Sequence, residues 1–153
     1  MPCNRTVAMG LLTFVFICIL CLISMIDIYK QEIPDGCILT AIVAKLFYYF
    51  VVEGFAWDSF FLLWVNAISI AGPLLFLTVM IEKIKKKDAL GGGDIKLVFV
   101  TGMYLGWERN LWMMLIASVI GIVSACWKKR DNEGRCFPFG PYICVATIFC
   151  MLF

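Results

Sequence analysis

The sequence predicts an all-α, polytopic membrane protein with about six transmembrane helices, built as a single domain over residues 1–153. Three properties carry this prediction. Hydrophobic residues make up 63% of the chain, charged residues make up 16%, and the mean hydropathy is +0.94. Soluble domains average about 45–50% apolar and about 25% charged residues, so this chain lies well outside their range. The third property is a series of long apolar runs, which is typical of membrane-spanning helices.

The apolar runs predict the helices in order. The first run, residues 7–26, contains no charge and is long enough to span a bilayer, whereas the apolar region of a signal peptide is about 7–15 residues. We therefore expect a helix that is retained rather than cleaved. Further apolar segments cover residues 37–52, 60–81, 95–107, 111–127 and 137–153.

The fourth of these segments is short. As a helix, its residues would reach roughly 20 Å at ~1.5 Å per residue, against about 30 Å of hydrocarbon. Either the bilayer thins locally, or the glycine-rich stretch before the segment lies below the membrane surface. Gly102 and Gly106 form a GxxxG pattern here, which predicts close packing against a neighbouring helix.

Basic residues cluster in three of the expected loops, and such loops stay on the cytoplasmic side of a membrane. Six crossings place these loops, residues 28–36, 82–94 and 128–136, on one face. The sequence therefore predicts that both termini lie outside and that the glycine-rich stretch is cytoplasmic. The basic residues of the three loops are Lys30, Lys83, Lys85, Lys86, Lys87, Lys128, Lys129, Arg130 and Arg135.

The side chains available narrow the chemistry. The chain has no histidine, which excludes Ser-His-Asp and Cys-His hydrolases and HExxH metalloproteases. Of its eight cysteines, Cys18 and Cys21 have CxxC spacing, but they lie inside an apolar run without a second pair. We interpret them as packing residues and expect neither a metal nor a cofactor. Carboxylates remain as the candidate catalytic groups.

Two carboxylates, Asp27 and Asp94, lie at expected cytoplasmic helix ends. In aspartyl proteases two such groups share one proton and activate a water, and packing the first helix against the fourth would bring this pair together. Each also has a structural explanation. Asp94 follows glycines and resembles a helix N-cap, and Asp27 resembles a solvated interfacial residue, although the dipole at the end of its helix disfavours an anion. Spacing alone leaves both interpretations open.

Four strings of the sequence carry a resemblance to a known family. GGGDIKL contains a GxGD core at Gly91, Gly93 and Asp94, and DIYKQEIPD at 27–35 places Ile-Pro six residues after an aspartate. GDIKLVFVTGMYLGW continues with glycines, and FPFGPYI at 137–143 closes the series. In this order the strings resemble the motifs of type IV prepilin peptidases, which are bacterial GxGD aspartyl proteases of the membrane.

The resemblance implies a role for each matched residue. Asp27 and Asp94 would form the catalytic dyad, while Gly91 and Gly93 would let the backbone lie close to an extended peptide. The implied substrate is a prepilin or pseudopilin precursor with a short basic leader. It would be cut after a glycine on the cytoplasmic side of the bacterial cell membrane.

Other matched residues are expected nearby. Lys96 would either tune the dyad by its charge or extend to the membrane surface, and we favour the second. Pro138 and Gly140 would line the substrate groove or simply begin the last helix. Asp35 is expected to cap the second helix, and Lys45 inside that helix to pair with an inward carboxylate or to extend to the surface.

This chain also departs from the family pattern. Many members carry a cytoplasmic region with two zinc-binding CxxC pairs between the first two spans and methylate the new terminus, whereas this chain has about ten residues there. The sequence thus predicts a member that only cleaves.

The strings fit presenilin-like GxGD proteases less well. A non-enzymatic component of a pilus or secretion system, or a small transporter with an aspartate relay, is the alternative. We expect contacts with membrane lipids but not with nucleic acid, and homo-oligomer formation is left open.

Overall fold

A computed structural model of the protein describes residues 2–53, 56–85, 91–128 and 139–152. Five α-helices account for most of these residues, and the described part of the chain contains no strand, which confirms the all-α fold class. A short π-helical turn, Tyr49–Glu53, extends the second helix. The helices are α1 (Pro2–Lys30), α2 (Asp35–Tyr48), α3 (Trp57–Lys85), α4 (Gly92–Lys128) and α5 (Gly140–Leu152).

Most of these helices match the expected membrane spans. By length and composition, four segments are long and apolar enough to cross a bilayer, and Gly140–Leu152 forms a shorter apolar helix. The last of the four, Gly92–Trp127, contains a turn at Gly106 and is therefore not one straight span. The number of crossings and the side on which the termini lie stay predictions. The four longer segments are Thr6–Lys30, Asp35–Val52, Trp57–Ile84 and Gly92–Trp127.

Helix α4 reverses direction at Gly106. This residue has φ 78° and ψ 169°, a conformation essentially confined to glycine. The side-chain amide of Asn110 donates a hydrogen bond of 3.3 Å to the carbonyl oxygen of Val98, although a straight helix would separate these residues by roughly 18 Å. Residues 92–105 and 107–128 therefore form a helical hairpin. Two expectations were wrong: the break expected between the segments 95–107 and 111–127 lies at Gly106 instead, and Gly106 makes the turn instead of packing.

Gly102 packs as the GxxxG pattern predicts. A Cβ atom at this position would lie 2.8 Å from the backbone oxygen of Asn66 and 3.0 Å from Cα of Ala67, so α4 and α3 touch through their backbones. On the same hairpin, the buried hydroxyl of Thr101 donates to the side-chain oxygen of Asn110 at 3.0 Å. These contacts hold the first arm of α4 against both α3 and its own second arm.

The core lies between α1, α2, α4 and α5. The rings of Phe16 and Tyr104 stack with centroids 3.6 Å apart, and the Tyr104 hydroxyl donates to the backbone oxygen of Ala41 at 2.8 Å. Lys45 places its ammonium over two rings, 5.7 Å from the centroid of Tyr48 and 5.3 Å from that of Tyr104. Aromatic faces attract a cation, so these rings stabilise a lysine within the bundle.

We expect Gly106→Ala to lower the free energy of unfolding by about 1–3 kcal/mol, because this backbone conformation is sterically unfavourable for alanine. Thermal unfolding of the purified protein in detergent measures the effect. Gly10→Ala is the control, since Gly10 is helical and a Cβ there meets no heavy atom within 4 Å. Equal unfolding temperatures for Gly106→Ala and the wild type would contradict the assigned turn.

Candidate active site

The end of α1 and the beginnings of α2, α4 and α5 surround one cavity of about 440 Å³. Polar side chains dominate its lining, which includes four carboxylates and one lysine. Asp27 and Asp94, distant in the chain, both line this cavity. The described residues of the lining are Asp27, Gln31, Glu32, Ile33, Asp35, Gly91, Gly92, Gly93, Asp94, Lys96 and Phe139.

Asp27 lies in the last turn of α1 and is only 4% exposed. The next turn ends the helix: Gln31 adopts φ 55° and donates its N–H to the backbone oxygen of Asp27 at 2.9 Å. This left-handed residue is a common way to satisfy the last carbonyls of a helix. Within the described residues, the Oδ2 atom of Asp27 is buried and has no hydrogen-bond partner. A buried, unpaired carboxylate oxygen is costly, so its retention calls for an explanation.

Gly140 is the residue that faces Asp27. It is the buried first residue of α5, and its backbone N–H lies close enough to the Asp27 carboxylate to favour the negative charge there. The first N–H groups of a helix have no partner within the helix, and they carry the positive end of its dipole. The start of α5 thus offsets the unfavourable dipole of α1 at Asp27. A Cβ atom on Gly140 would lie 2.5 Å from Oδ2 of Asp27, so a side chain there would displace the carboxylate.

Of the two roles expected for Gly140, the structure shows the start of the last helix. Its neighbour Phe139 lines the cavity, whereas Gly140 is not part of the lining and lies against Asp27. The N–H groups of Tyr142 and Ile143 donate to the Phe139 oxygen, which makes Phe139 the N-cap of α5. Pro138, the other residue expected in this motif, lies outside the described residues.

Asp94 is the third residue of α4, with its N–H donated to the oxygen of Gly91 at 3.0 Å. Gly91 therefore occupies the N-cap position, and the interpretation of Asp94 as an N-cap was wrong. A carboxylate in the first turn is stabilised by the helix dipole, by about 0.3–1 kcal/mol. The side chain turns back towards the helix start, since a Cβ on Gly91 would lie 3.3 Å from Oδ2 of Asp94. The charges of Asp27 and Asp94 are close enough to interact.

The glycines before Asp94 differ in their surroundings. A Cβ on Gly93 would lie 3.0 Å from Cβ of Ile33, so α4 begins tightly packed against the connection between α1 and α2. A Cβ on Gly92 would meet no heavy atom within 4 Å. Both glycines, and Gly91, line the cavity. Close approach to a bound peptide therefore stays a prediction for Gly91 and Gly93.

Lys96 forms an ion pair with Asp35, with 2.6 Å between Nζ and Oδ1. Both side chains are exposed, at 54% and 76% respectively. The expectation that Asp35 caps α2 was wrong: Pro34 is the N-cap residue, and no side chain makes a capping hydrogen bond. The pair lies on the rim of the cavity and joins the start of α2 to the start of α4.

Sequence reasoning missed the other residues of the lining. Gln31 and Glu32 lie inside the string around Asp27, but nothing in their spacing distinguishes them from solvated loop residues. Ile33 precedes Pro34, and only its contact with Gly93 shows why an apolar residue stands there. Among the side chains that the structure describes, no group of three histidine, cysteine or acidic residues could hold a metal ion.

Comparison with known proteins decides the family. The profile of the type IV leader peptidase family matches residues 14–126, which is well over half of the chain. The chain belongs to this family. The family resemblance is thereby confirmed, and three of the four strings lie within the matched residues, whereas FPFGPYI at 137–143 lies beyond them.

Curated relatives agree with this assignment. The prepilin leader peptidase/N-methyltransferase of Legionella pneumophila is 30% identical over 92% of this chain and 50% of its own length. Proteins of the same name from Burkholderia pseudomallei and Pseudomonas putida are 30% and 28% identical, over 82% and 81% of this chain and 42% and 43% of theirs. The chain thus spans about half the length of these relatives. No solved structure matches it.

The contact between Gly140 and Asp27 is testable by a double-mutant cycle. Gly140→Ala should destabilise the protein, because the added Cβ meets Oδ2 and Cγ of Asp27 at 2.5 and 3.1 Å. In an Asp27→Ala background those atoms are absent, and the same change should cost less. We expect a coupling energy of about 0.5–3 kcal/mol from thermal or denaturant unfolding in detergent. Additive effects of the two substitutions would contradict the contact.

Proposed function

We propose that this protein is an aspartyl endopeptidase that removes the short basic leader from type IV prepilin-like precursors at the cytoplasmic edge of the membrane. The observation that carries the proposal is the placement of Asp27 and Asp94, from two separate helices, in one polar cavity. The free Oδ2 of Asp27 supports it, because an unpartnered buried oxygen is suited to binding a water or a peptide group. Family membership and the names of the relatives support the cleavage of a prepilin leader.

The two carboxylates would act as one unit that holds a single proton, since two like charges at short distance cannot both ionise. The ionised member takes a proton from a water, whose oxygen attacks the scissile carbonyl carbon. The protonated member gives its proton to the carbonyl oxygen. When the tetrahedral gem-diol collapses, the C–N bond breaks and the leaving amine nitrogen receives a proton from the pair. One hydroxyl of the diol returns its proton to the pair as the acid carbonyl forms, so the pair again holds a single proton. The products are the free leader acid and the mature amine.

The charge of the cavity fits a basic leader. Among the described residues, Asp27, Glu32, Asp35 and Asp94 line it together with one cation, Lys96, so this part of the lining is acidic even when the dyad holds a proton. A cavity with one sign of charge attracts the opposite charge and raises its local concentration. Lysine and arginine residues of a leader would therefore be drawn towards the two aspartates.

The proposal covers cleavage and not methyl transfer. The relatives are named as both leader peptidases and N-methyltransferases, but α1 and α2 are joined here by only residues 31–34. This connection contains no cysteine, so it offers no place for a pair of zinc-binding motifs. Methylation of the mature terminus has no support from the residues described.

We expect Asp27→Asn and Asp94→Asn each to lower the rate of precursor cleavage by at least about 10²-fold, because an amide can neither share nor transfer the proton. Asparagine is nearly isosteric, so membrane insertion and unfolding temperature should change little. Mass spectrometry of a co-purified prepilin, before and after incubation, measures shortening.

Asp58→Asn is the matched control for Asp94→Asn. Asp58 also lies in the first turn of an apolar helix, α3, but it is exposed and does not line the cavity. It should retain near wild-type activity. Near wild-type cleavage by either dyad variant would remove that aspartate from the mechanism. An intact precursor with folded wild-type protein would favour the non-enzymatic alternative.

We further propose that the cavity faces the cytoplasm, on the basis of the basic loops at that end of the bundle. The two ends of α3 provide the test. Ser59→Cys should react with a membrane-impermeant thiol reagent in intact cells, whereas Lys83→Cys should react only after lysis. Peptide mass spectrometry separates these sites from the native cysteines. Labelling in the reverse order would place the cavity outside.

A further inference from the structure

An apolar groove of about 680 Å³ lies between α2, α3 and the beginning of α4, beside the polar cavity. Its walls are branched and aromatic side chains, and several of them are largely exposed, as Leu75 is at 52%. In a membrane this surface faces the hydrocarbon. The principal apolar wall residues are Leu39, Ile42, Ile68, Leu75 and Phe99.

The floor of the groove is made of small residues. Ala71 is buried there, and Gly72 is open enough that an added Cβ would meet only a methyl group of Ile68, at 3.4 Å. Small residues on a membrane helix let a second helix approach closely. The wall on α2 runs from Gly36 to Ile42, which corresponds to roughly two helical turns.

Groove and cavity meet at the ion pair. Asp35 and Lys96 line both spaces, so a chain that leaves the dyad past this pair enters the groove directly. A lipid tail could fill the groove, but it would not explain why the groove is continuous with an acidic cavity. An extended polar segment that continues into an apolar helix satisfies both environments.

We propose that this groove binds the apolar helix that follows the scissile bond of the substrate, and that this contact sets which bond reaches Asp27 and Asp94. The inference rests on the proposed peptidase function and extends it to the membrane-embedded part of the substrate. Cavity and groove together would then bind the substrate on both sides of the scissile bond. Acidic groups of the cavity bind the leader, and apolar side chains of the groove bind the first two turns of the helix.

A smaller apolar pocket competes as the binding site. It has a volume of about 390 Å³, is lined by Ser118, Gly121, Ile122 and Ala125, and touches the cavity through Phe139. The larger groove shares a charged pair with the cavity, whereas this pocket shares one aromatic ring. The experiment must therefore compare the two positions.

Photo-crosslinking tests the proposal. A benzophenone amino acid replaces Leu75, Leu77 or Ile122 in the Asp94→Asn protein, which is mixed with a tagged precursor that has a basic leader, a glycine and one apolar helix. Leu75 and Leu77 are matched: they have the same side chain on the same helix, are 52% and 55% exposed, and point in nearly opposite directions. We expect adducts from position 75, mapped to the first two turns of the precursor's helix, and only lipid adducts from positions 77 and 122.

A kinetic measurement gives an independent result. Gly72→Leu should fill the groove and raise KM for the precursor by about tenfold with little change in kcat, as expected when binding alone is lost. Gly10→Leu, at another open glycine of an apolar helix, should leave KM unchanged.

The outcomes separate the two proposals. Failure of the wild-type protein to shorten the precursor would overturn the peptidase function itself. If the wild type cleaves the precursor, three crosslinking results would overturn only the proposal that the groove binds the substrate helix. These are precursor adducts from position 122, equal precursor adducts from positions 75 and 77, and lipid adducts alone from position 75. An unchanged KM for folded Gly72→Leu would do the same.

Discussion

The burial of the Asp27 carboxylate is the constraint on which the arrangement of the surrounding helices depends. A carboxyl group removed from water at the C-terminal end of its own helix is destabilised both by desolvation and by the helix dipole. The start of α5 relieves this cost with the N–H of Gly140. Only glycine lets the backbone come this close, so the docking of α5 and the position of Asp27 are a single structural feature.

Asp94 is positioned by backbone contacts of a similar kind. The turn at Gly106 folds α4 back on itself. The contact of Gly102 with the backbone of α3 fixes how closely residues 92–105 approach α3. Gly93 then packs on Ile33, which ties the start of α4 to the end of α1. Glycine contacts are short and leave the helices little freedom to shift. They therefore hold the two carboxylates in a defined geometry without requiring a hydrogen bond between the two side chains.

The polar cavity and the apolar groove together define what kind of ligand this surface fits. In a bilayer, ionisable groups are retained where they face a protein cavity, and here four acidic side chains are gathered at one end of an otherwise apolar bundle. The pair of Lys96 and Asp35 marks the boundary between the two environments. A substrate whose polar scissile region precedes an apolar helix has the same boundary in its own sequence.

The sequence by itself predicted the apolar helices and singled out Asp27 and Asp94, which the structure places in one cavity. Apolar run length, loop charge and the spacing of short motifs are local properties, and helix formation in a bilayer follows from them because every backbone polar group must be satisfied within its own segment. The tertiary structure alone decided that Gly140 contacts Asp27, that Asp35 pairs with Lys96 and that Lys45 lies over two tyrosine rings. The sequence predicted that Gly106 packs, whereas the structure shows that it makes the turn, since GxxxG spacing alone does not distinguish the two cases. These outcomes depend on which helix faces are brought together, and that choice is made by packing between residues far apart in the chain rather than by any local pattern.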